Sequence, residues 1–506
     1  MPKTVQSDRP LQLEPDPQRW KALIFIAIAQ LMVVLDATVV NIALPHAQAS
    51  LHISDANRQW VITAYSLAFG GLLLFGGRIS DLWGRKRAFI IGLVGFALAS
   101  ALGGAAVNEG MLLGARALQG VFGALLAPAA LSLLAVTFTE AKERAQAFGI
   151  FGAIAGAGGA VGLILGGVLT QYVNWRWALF VNIFFAVIAA VGAALYVHER
   201  ADGRNRNKLD IPGVLLATTG LVALVYGFTK AASDGWGATI TISMFVASVV
   251  LLAAFVLVEA KVKAPLLPLR VITNRNRGGV YLALGLAVIG MFGLFLFLTY
   301  YLQQIKGYSP VMTGVAFLPM IVGMITGSTQ IGARLMNRVP PRLLMTPGFL
   351  VAALGMLILT QLSVTSSYTT VVLPALVLLG LGMGTAFMPA MSLSTYGVEP
   401  RDSGVASAMI NTSQQVGGSI GTALLSTIAV NATHSYMVAH HGNPALINTA
   451  AVHGYAAAIW FAVGILVLSA LITFTLVTVG RDAVAAPIGG GAGAEADDLA
   501  IPVIAH

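Results

Sequence analysis

The chain has 506 residues, of which 57% are hydrophobic and only 10% are charged. Soluble domains carry about a quarter charged residues, so this composition excludes a protein that is surrounded by water. The absence of cysteine excludes disulfides, thiolate metal ligands and cysteine nucleophiles. The net charge of +9 fits lysine and arginine side chains in cytoplasmic loops beside anionic lipid, and we expect no nucleic-acid partner.

Long apolar runs alternate with short charged clusters. Each run has the roughly 18 to 27 residues that a helix needs to cross about 30 Å of hydrocarbon. We expect no removable signal peptide before the first run. We therefore predict an all-α integral membrane protein with fourteen spans: 22–44, 60–77, 88–107, 111–134, 147–170, 177–197, 211–229, 238–258, 278–302, 311–331, 343–363, 370–391, 404–430 and 455–479.

The distribution of basic residues predicts the orientation. With both termini in the cytoplasm, the inner segments contain 24 of the 29 lysines and arginines, and Arg116 lies within a span. The outer loops then contain Arg58, Arg176, Lys230 and Lys306. Since cytoplasmic loops hold the excess of basic residues, this pattern predicts a multi-pass protein of the cytoplasmic membrane.

An internal repeat divides the spans into two sets. Segments about 255 to 261 residues apart resemble each other, so that Gly77 aligns with Gly332 and Pro128 with Pro389. We predict two pseudo-symmetric six-helix bundles and two inserted helices. The predicted divisions are an N-terminal cytoplasmic segment 1–21, bundle 22–197, linker 198–210, inserted helices 211–258, linker 259–277, bundle 278–479 and a disordered cytoplasmic tail 480–506.

Two ionisable residues lie inside predicted spans, where charge is costly and therefore marks function. Asp36 and Arg116 are both about 8 to 12 Å below the outer boundary, at about 1.5 Å per residue. In the functional interpretation Asp36 binds and releases a proton, because burial favours its neutral form and approach of Arg116 favours its charged form. The alternatives are a static buried pair or a packing hydrogen bond with Asn41 or Thr38.

The inner loop between spans 2 and 3 contains two glycines and several charges. Glycine permits a tight turn, and a carboxylate can accept hydrogen bonds from a helix N-terminus or an arginine. A conformational latch and a positive loop that only fixes orientation are equally compatible with the sequence. The candidate latch residues are Gly77, Asp81, Gly84, Arg85 and Lys86.

Span 5 is rich in glycine, with three glycines at intervals of four on one face, which predicts close helix contact. Two interpretations stay open, plain helix packing and a seam that also seals or bends during transport. The candidate residues are Gly149, Gly158, Gly162, Gly166 and Gly167. Polar residues elsewhere either line a substrate cavity or bond between helices: Asn41, Tyr65, Gln119, Asn411, Gln414 and Gln415. We expect no metal site, because the histidines near the last outer loop are more typical of an exposed loop.

Four motifs in this chain resemble those of the major facilitator superfamily and, within it, of the fourteen-span drug:proton antiporters. They are LDATVVNIALP ending at Pro45, the inner loop Gly77–Arg87, the span 4 group Arg116, Gln119 and Gly120, and the glycines of span 5, where Leu163 replaces the usual proline. The resemblance implies two bundles that rock around a central cavity, with Arg116 associated with proton coupling. It also implies that the proton gradient drives transport without a cofactor.

The leading hypothesis is export of drugs, antibiotics or secondary metabolites that are small and amphipathic or apolar. Residues 311–331 contain no carboxylate, so we expect neutral or monovalent compounds rather than dications. Proton-coupled uptake of a solute is the alternative. A multi-span membrane enzyme is disfavoured, because it would need polar groups that converge at the membrane surface, whereas the histidines fall mostly in predicted outer loops and at terminal positions. We expect the small substrate, protons and lipid to be the partners of a monomer.

Overall fold

The computed structural model describes residues 17–55, 57–138, 141–198, 210–262, 265–336, 338–394, 396–398 and 403–480. The prediction of an all-α membrane protein is confirmed. Fourteen long helices run through the described residues: α1 (Arg19–Leu51), α2 (Trp60–Trp83), α3 (Arg85–Gly104), α4 (Glu109–Thr137), α5 (Ala141–Tyr172), α6 (Trp177–Tyr196), α7 (Ile211–Ser233), α8 (Thr239–Glu259), α9 (Arg275–Ile305), α10 (Pro310–Leu335), α11 (Arg342–Leu359), α12 (Tyr368–Ser394), α13 (Ser403–Ala439) and α14 (Ile447–Leu476).

Thirteen of these helices are long and apolar enough, within the described residues, to cross a membrane. The other is α5, a 32-residue helix whose apolar described part is Gly158–Tyr172. In the part of the chain that the structure describes, three helices include π-helical turns, at Tyr301–Ile305, Gly327–Gly332 and Tyr368–Val372. A short helix, Leu269–Thr273, precedes α9.

Side chains at several helix starts satisfy backbone N–H groups that have no partner within the helix. The Asn108 side chain accepts from Met111 N at the start of α4, and Asp210 accepts from Gly213 N at the start of α7. Ser309 does the same for α10, where Pro310 supplies the fixed φ that suits a first helical position.

Two predicted boundaries need correction. The predicted spans ended at residue 430 and resumed at 455, yet α13 continues to Ala439 and α14 already begins at Ile447, so most of the predicted outer loop is helical. On the opposite side of the bundle, where the sequence predicted a loop after residue 77, α2 continues to Trp83. A helix does not stop where hydrocarbon stops, because its backbone bonds are internal and polar side chains can project into water.

The helices pack as two matching sets of six. In the N-terminal half α1 contacts α5 and α6, α4 contacts α2 and α3, and α3 contacts α6. The C-terminal half repeats every pair: α9 contacts α13 and α14, α12 contacts α10 and α11, and α11 contacts α14. The contacts between the halves also correspond, since α2 packs on α13 and α5 packs on α10. The inserted helices α7 and α8 form a hairpin, with α7 against α2 and α13.

The halves are joined at the end of the bundle that contains the loop 52–59, which we call the outer end. Gln303 Nε2 of α9 donates to the Ile42 carbonyl of α1 at 3.0 Å, and the Tyr300 hydroxyl donates to Gln48. Val311 N of α10 donates to Gln171 of α5 at 3.3 Å. These contacts close the outer end between the halves, and we call them, with Arg58 against Tyr300, the outer lock.

Candidate functional site

The centre of the N-terminal half holds a fully buried carboxylate. Asp36 of α1 has no exposed surface, and its Oδ2 lies 2.6 Å from Arg116 Nη1 of α4. Its Oδ1 accepts from Asn182 Nδ2 at 2.7 Å and from Gln119 Nε2 at 2.9 Å. Helices α1, α4 and α6 therefore each contribute to one hydrogen-bonded ion pair, which the sequence permitted but did not require.

Besides Asp36, Arg116 forms hydrogen bonds and a cation–π contact with residues of α2 and of its own helix, α4. Its Nε donates to the Val61 carbonyl of α2 at 2.9 Å, and Nη1 also lies 2.7 Å from Gln119 Oε1. Its guanidinium carbon lies 4.5 Å from the centre of the Tyr65 ring, in a cation–π contact. Gln119 in turn donates to Ser100 Oγ of α3 at 2.7 Å. Helices α1, α2, α3, α4 and α6 thus meet at this cluster.

The buried charges of Asp36 and Arg116 depend on their partners. Two charged groups in a low dielectric are tolerated only when they are paired and hydrogen-bonded, and Asp36 and Arg116 are both paired and hydrogen-bonded. Protonation of Asp36 would remove the anion and leave Arg116 with carbonyl and amide acceptors. The alternative packing bonds are not formed, because Asn41 donates to Ala37 O and Thr38 to the carbonyls of Val34 and Leu35.

Three of the span 5 glycines press α5 onto α1, the helix that carries Asp36. A Cβ at Gly162 would lie 1.9 Å from Thr38 Oγ1, and one at Gly166 would lie 2.9 Å from Val39 Cα. Gly158 packs on Leu31 and Val34. Gly167 faces the other half instead, where a Cβ would lie 2.7 Å from Pro310 O. The surroundings of Gly149 lie outside the described side chains.

The predicted inner loop between α2 and α3 is a turn at one residue. Gly84 has φ +104° and ψ +136°, a conformation that side chains with a Cβ rarely adopt, and α3 begins at once with Arg85. Lys86 Nζ donates to the Ala194 carbonyl of α6 at 2.8 Å. A Cβ at Gly77 would make ordinary contact with Pro128 at 3.5 Å. At the neighbouring Gly76 a Cβ would lie 2.0 Å from Ala124 O, so α2 and α4 approach closely there. The Asp81 side chain lies outside the described residues.

Comparison with known proteins agrees with this architecture. A family model described as the Major Facilitator Superfamily matches residues 26–422. The chain belongs to this superfamily. It is therefore a membrane transporter and not an enzyme, as the sequence predicted.

Curated relatives of this transporter are antibiotic resistance and export proteins. The puromycin resistance protein pur8 of Streptomyces alboniger is 53% identical over 465 residues, which are 92% of each chain. The cephamycin export protein CmcT of Amycolatopsis lactamdurans is 36% identical over 427 residues, covering 83% of this chain and 88% of that one. The lincomycin resistance protein of Streptomyces lincolnensis is 34% identical over 413 residues, covering 81% and 84%.

Solved structures share the fold. An inward-facing bacterial homologue of the human lysosomal transporter Spinster gives a TM-score of 0.63 at 16% identity, covering 93% of this chain and 98% of that one. The POT family transporter PepTSo gives 0.65 at 14% identity, covering 91% and 97%. At these identities the likeness concerns the fold alone.

The six predicted cavity residues of this transporter do not line one surface. Gln119 and Tyr65 are buried in the Asp36 cluster, and Asn41 lies on α1 with its amide bonded to its own helix. The three residues of α13, namely Asn411, Gln414 and Gln415, are half-buried, and Gln415 packs on Gly70 of α2 between the halves. A separate apolar cleft of about 610 Å³ lies between α10 and α12, lined by residues that include Met312, Val322 and Tyr368.

Sequence reasoning missed two parts of the site. Asn182 and Ser100 complete the Asp36 cluster; the signal was an amide and a hydroxyl in otherwise apolar spans, but neither was assigned a partner. Arg58 was counted only as an outer-loop charge, yet it is buried against Tyr300. No single-residue pattern predicts that contact, because the two residues are far apart in the chain.

Proposed function

We propose that this transporter exports small amphipathic compounds across the cytoplasmic membrane in exchange for protons, by alternating access. The observation that carries the proposal is the buried Asp36–Arg116 pair, with 2.6 Å between Oδ2 and Nη1. An ionised carboxylate at this depth is stabilised only by its partners, so proton uptake by Asp36 changes the interactions among the five helices that meet at the cluster. The direction is supported by relatives named for antibiotic resistance and export.

Asp36 is the proton carrier in this mechanism. In its ionised form it accepts from Arg116, Gln119 and Asn182. A proton that arrives from outside neutralises it, which removes the ionic part of the bond to Arg116 and weakens the tie between α1 and α4. Release of that proton to the cytoplasm restores the pair, so one cycle moves one proton through this site in the direction opposite to the substrate.

Helix α1 links the carrier to the outer lock. Ile42, whose carbonyl accepts from Gln303 of α9, is six residues after Asp36, about 9 Å along the helix. Gln48, which accepts from Tyr300, follows on the same helix. A small shift of α1 against the glycine face of α5 would therefore alter both the carboxylate cluster and the contacts that close the outer end.

Puromycin is the first substrate to test, because the relative at 53% identity is named for resistance to it. Helix α10 contains no aspartate or glutamate in its sequence, Pro310–Leu335. A second positive charge on a substrate would find no carboxylate there. We therefore propose neutral and monovalent compounds as substrates and a monomer as the working unit, in which one chain supplies both halves.

Everted membrane vesicles from an efflux-deficient host test the proposal. Export in the cell becomes accumulation in these vesicles, so proton-driven uptake of labelled puromycin is the expected result for wild type. Asp36→Asn should reduce the proton-dependent component to background while the protein remains in the membrane. Proton-driven loss of puromycin from the vesicles would instead indicate import in the cell.

Glu109→Gln is the matched control. Glu109 begins α4, the helix of Arg116, but lies in its first turn at the outer end. The control should transport as wild type does. If Asp36→Asn transports as well as the control, or if collapsing the pH gradient leaves transport unchanged, proton-coupled export through Asp36 is refuted.

A further inference from the structure

The base of the inserted hairpin brings two buried carboxyl groups together, far from Asp36 in the chain. Asp210 precedes α7 and Glu259 ends α8; they are 5% and 3% exposed. Each has one oxygen bound by a backbone N–H: Gly213 N donates to Asp210 Oδ1 and Leu267 N to Glu259 Oε2, both at 3.0 Å. One oxygen of each carboxyl remains.

The two remaining oxygens face each other over the same glycine. A Cβ at Gly213 would lie 2.5 Å from Asp210 Oδ2 and 2.6 Å from Glu259 Oε1, so a larger residue there would displace these oxygens. Neither oxygen receives a hydrogen bond from a described N–H or O–H group. The side chains nevertheless lie within hydrogen-bonding reach of each other.

An ionised carboxylate only accepts hydrogen bonds, so two of them cannot bond to each other. Among the described residues, the ionisable group that acts on Glu259 is Asp210; its other contacts are the backbone N–H groups of Leu266 and Leu267. Lys208 and Lys263 lie outside the described residues. Two adjacent buried anions without a cation are strongly unfavourable, and one proton between them removes the conflict.

We propose that Asp210 and Glu259 form a second proton-binding site, in which one proton is shared by the two carboxyl groups. A metal ion is a poorer occupant, since hard cations take about six or more oxygen ligands. The described residues contain no group of three metal-ligating side chains here or elsewhere. The shared proton forms a hydrogen bond that links the start of α7 to the end of α8. Because Leu267 N donates to Glu259, both helix ends are also linked to the segment that leads into the C-terminal half.

Amide substitutions give this proposal a distinctive signature. In Glu259→Gln the amide oxygen can accept from Leu267 N while its NH2 donates to Asp210, which replaces the proton; Asp210→Asn works in the same way. In the double variant two NH2 groups face each other. We expect each single variant to melt close to wild type, and the double variant to melt much lower than the sum of the single effects predicts.

Infrared spectra of the purified full-length protein at neutral pH provide the direct readout. A protonated carboxyl has a C=O stretch that an ionised carboxylate lacks. Each single variant should lose one such acid band relative to wild type, because the remaining carboxyl becomes ionised. Asp234→Asn, a change at the exposed far end of α7, should lose no band and melt as wild type does.

Additive melting effects, or spectra in which neither single variant loses an acid band, would overturn the shared proton. If the double variant does not fold, the spectra of the single variants decide alone. Neither readout involves transport, so a failure here is distinguishable from a failure of Asp36 as the proton carrier.

Discussion

The guanidinium carbon of Arg58 lies 4.0 Å from the centre of the Tyr300 ring, across the boundary between the two halves. Arg58 precedes α2, and Tyr300 lies near the outer end of α9. Both residues are at least nine-tenths buried. The Tyr300 hydroxyl also donates to Gln48, and Asp55 Oδ1 accepts from Arg58 at 3.1 Å and from Gln48 at 2.8 Å. One tyrosine of the C-terminal half therefore contacts two elements of the N-terminal half.

Tyr300→Ala should shift the population toward states with an open outer end. A desolvated cation–π contact contributes about 2 kcal/mol, and one or two kcal/mol changes a two-state ratio by about 5- to 30-fold. Tyr300→Phe keeps the ring under Arg58 and should shift the population less. The chain has no cysteine, so spin labels will react only with cysteines that are introduced. Val107→Cys and Gln361→Cys place one label in an exposed outer loop of each half.

Distance distributions between these labels measure the opening. A longer-distance population should grow in Tyr300→Ala and less in Tyr300→Phe. Equal distributions in wild type and both variants would show that the contact does not hold the outer end closed.

Arg116→Ala should strongly destabilise the protein, because it leaves Asp36 buried without its cation. Removal of one partner from a buried pair costs about 3–5 kcal/mol. Asp36→Asn in the same chain removes the stranded anion, so the double variant should be more stable than Arg116→Ala alone. Thermal unfolding of wild type, both single variants and the double variant measures this coupling. Additive effects would mean that the two charges do not stabilise each other.

The sequence predicted the fold well because a membrane leaves few choices. Backbone groups in hydrocarbon must bond within the segment, so each apolar run becomes a helix, and the repeat of Gly77 and Pro128 at Gly332 and Pro389 indicated the two halves. The predicted ends of α2 and α13 were wrong because hydropathy indicates which residues lie in hydrocarbon, and not where the helix ends.

The sequence singled out the charged members of the candidate site, together with Gln119 and Tyr65, but not the contacts among them. Asp36 and Arg116 stand out because charge is rare in a span. Their position in the sequence does not indicate which uncharged side chains form hydrogen bonds with them. Asn182 and Ser100 carry no charge, and their contact with Asp36 and Gln119 follows from the way α3 and α6 pack against α1 and α4. The same is true of Tyr300, whose partner depends on how the halves meet.

Gly166→Ala should impair folding and transport, because its Cβ would lie 2.9 Å from Val39 Cα and 3.0 Å from Val39 O. Backbone atoms of α1 cannot move aside as a side chain can, so the helices must separate; overpacking of this kind costs about 1–3 kcal/mol. Gly464→Ala in α14 is the control, since no atom lies within 4 Å of its Cβ. Melting temperature and puromycin transport should fall for Gly166→Ala only. Equal behaviour of the two variants would exclude a tight α1–α5 seam.

Gly84→Ala should destabilise the turn between α2 and α3 whatever space surrounds it. Its φ of +104° with ψ of +136° lies where a Cβ clashes with the backbone, and such strain costs about 1–3 kcal/mol. Gly77→Ala, within α2, is the matched change, because its Cβ would meet Pro128 Cβ at an ordinary 3.5 Å and the helix continues through it. Melting temperatures of the two purified variants measure the difference. A Gly84→Ala protein as stable as Gly77→Ala would show that α2 and α3 join by another conformation, and would remove the reason to treat Gly84 as the residue that fixes this turn.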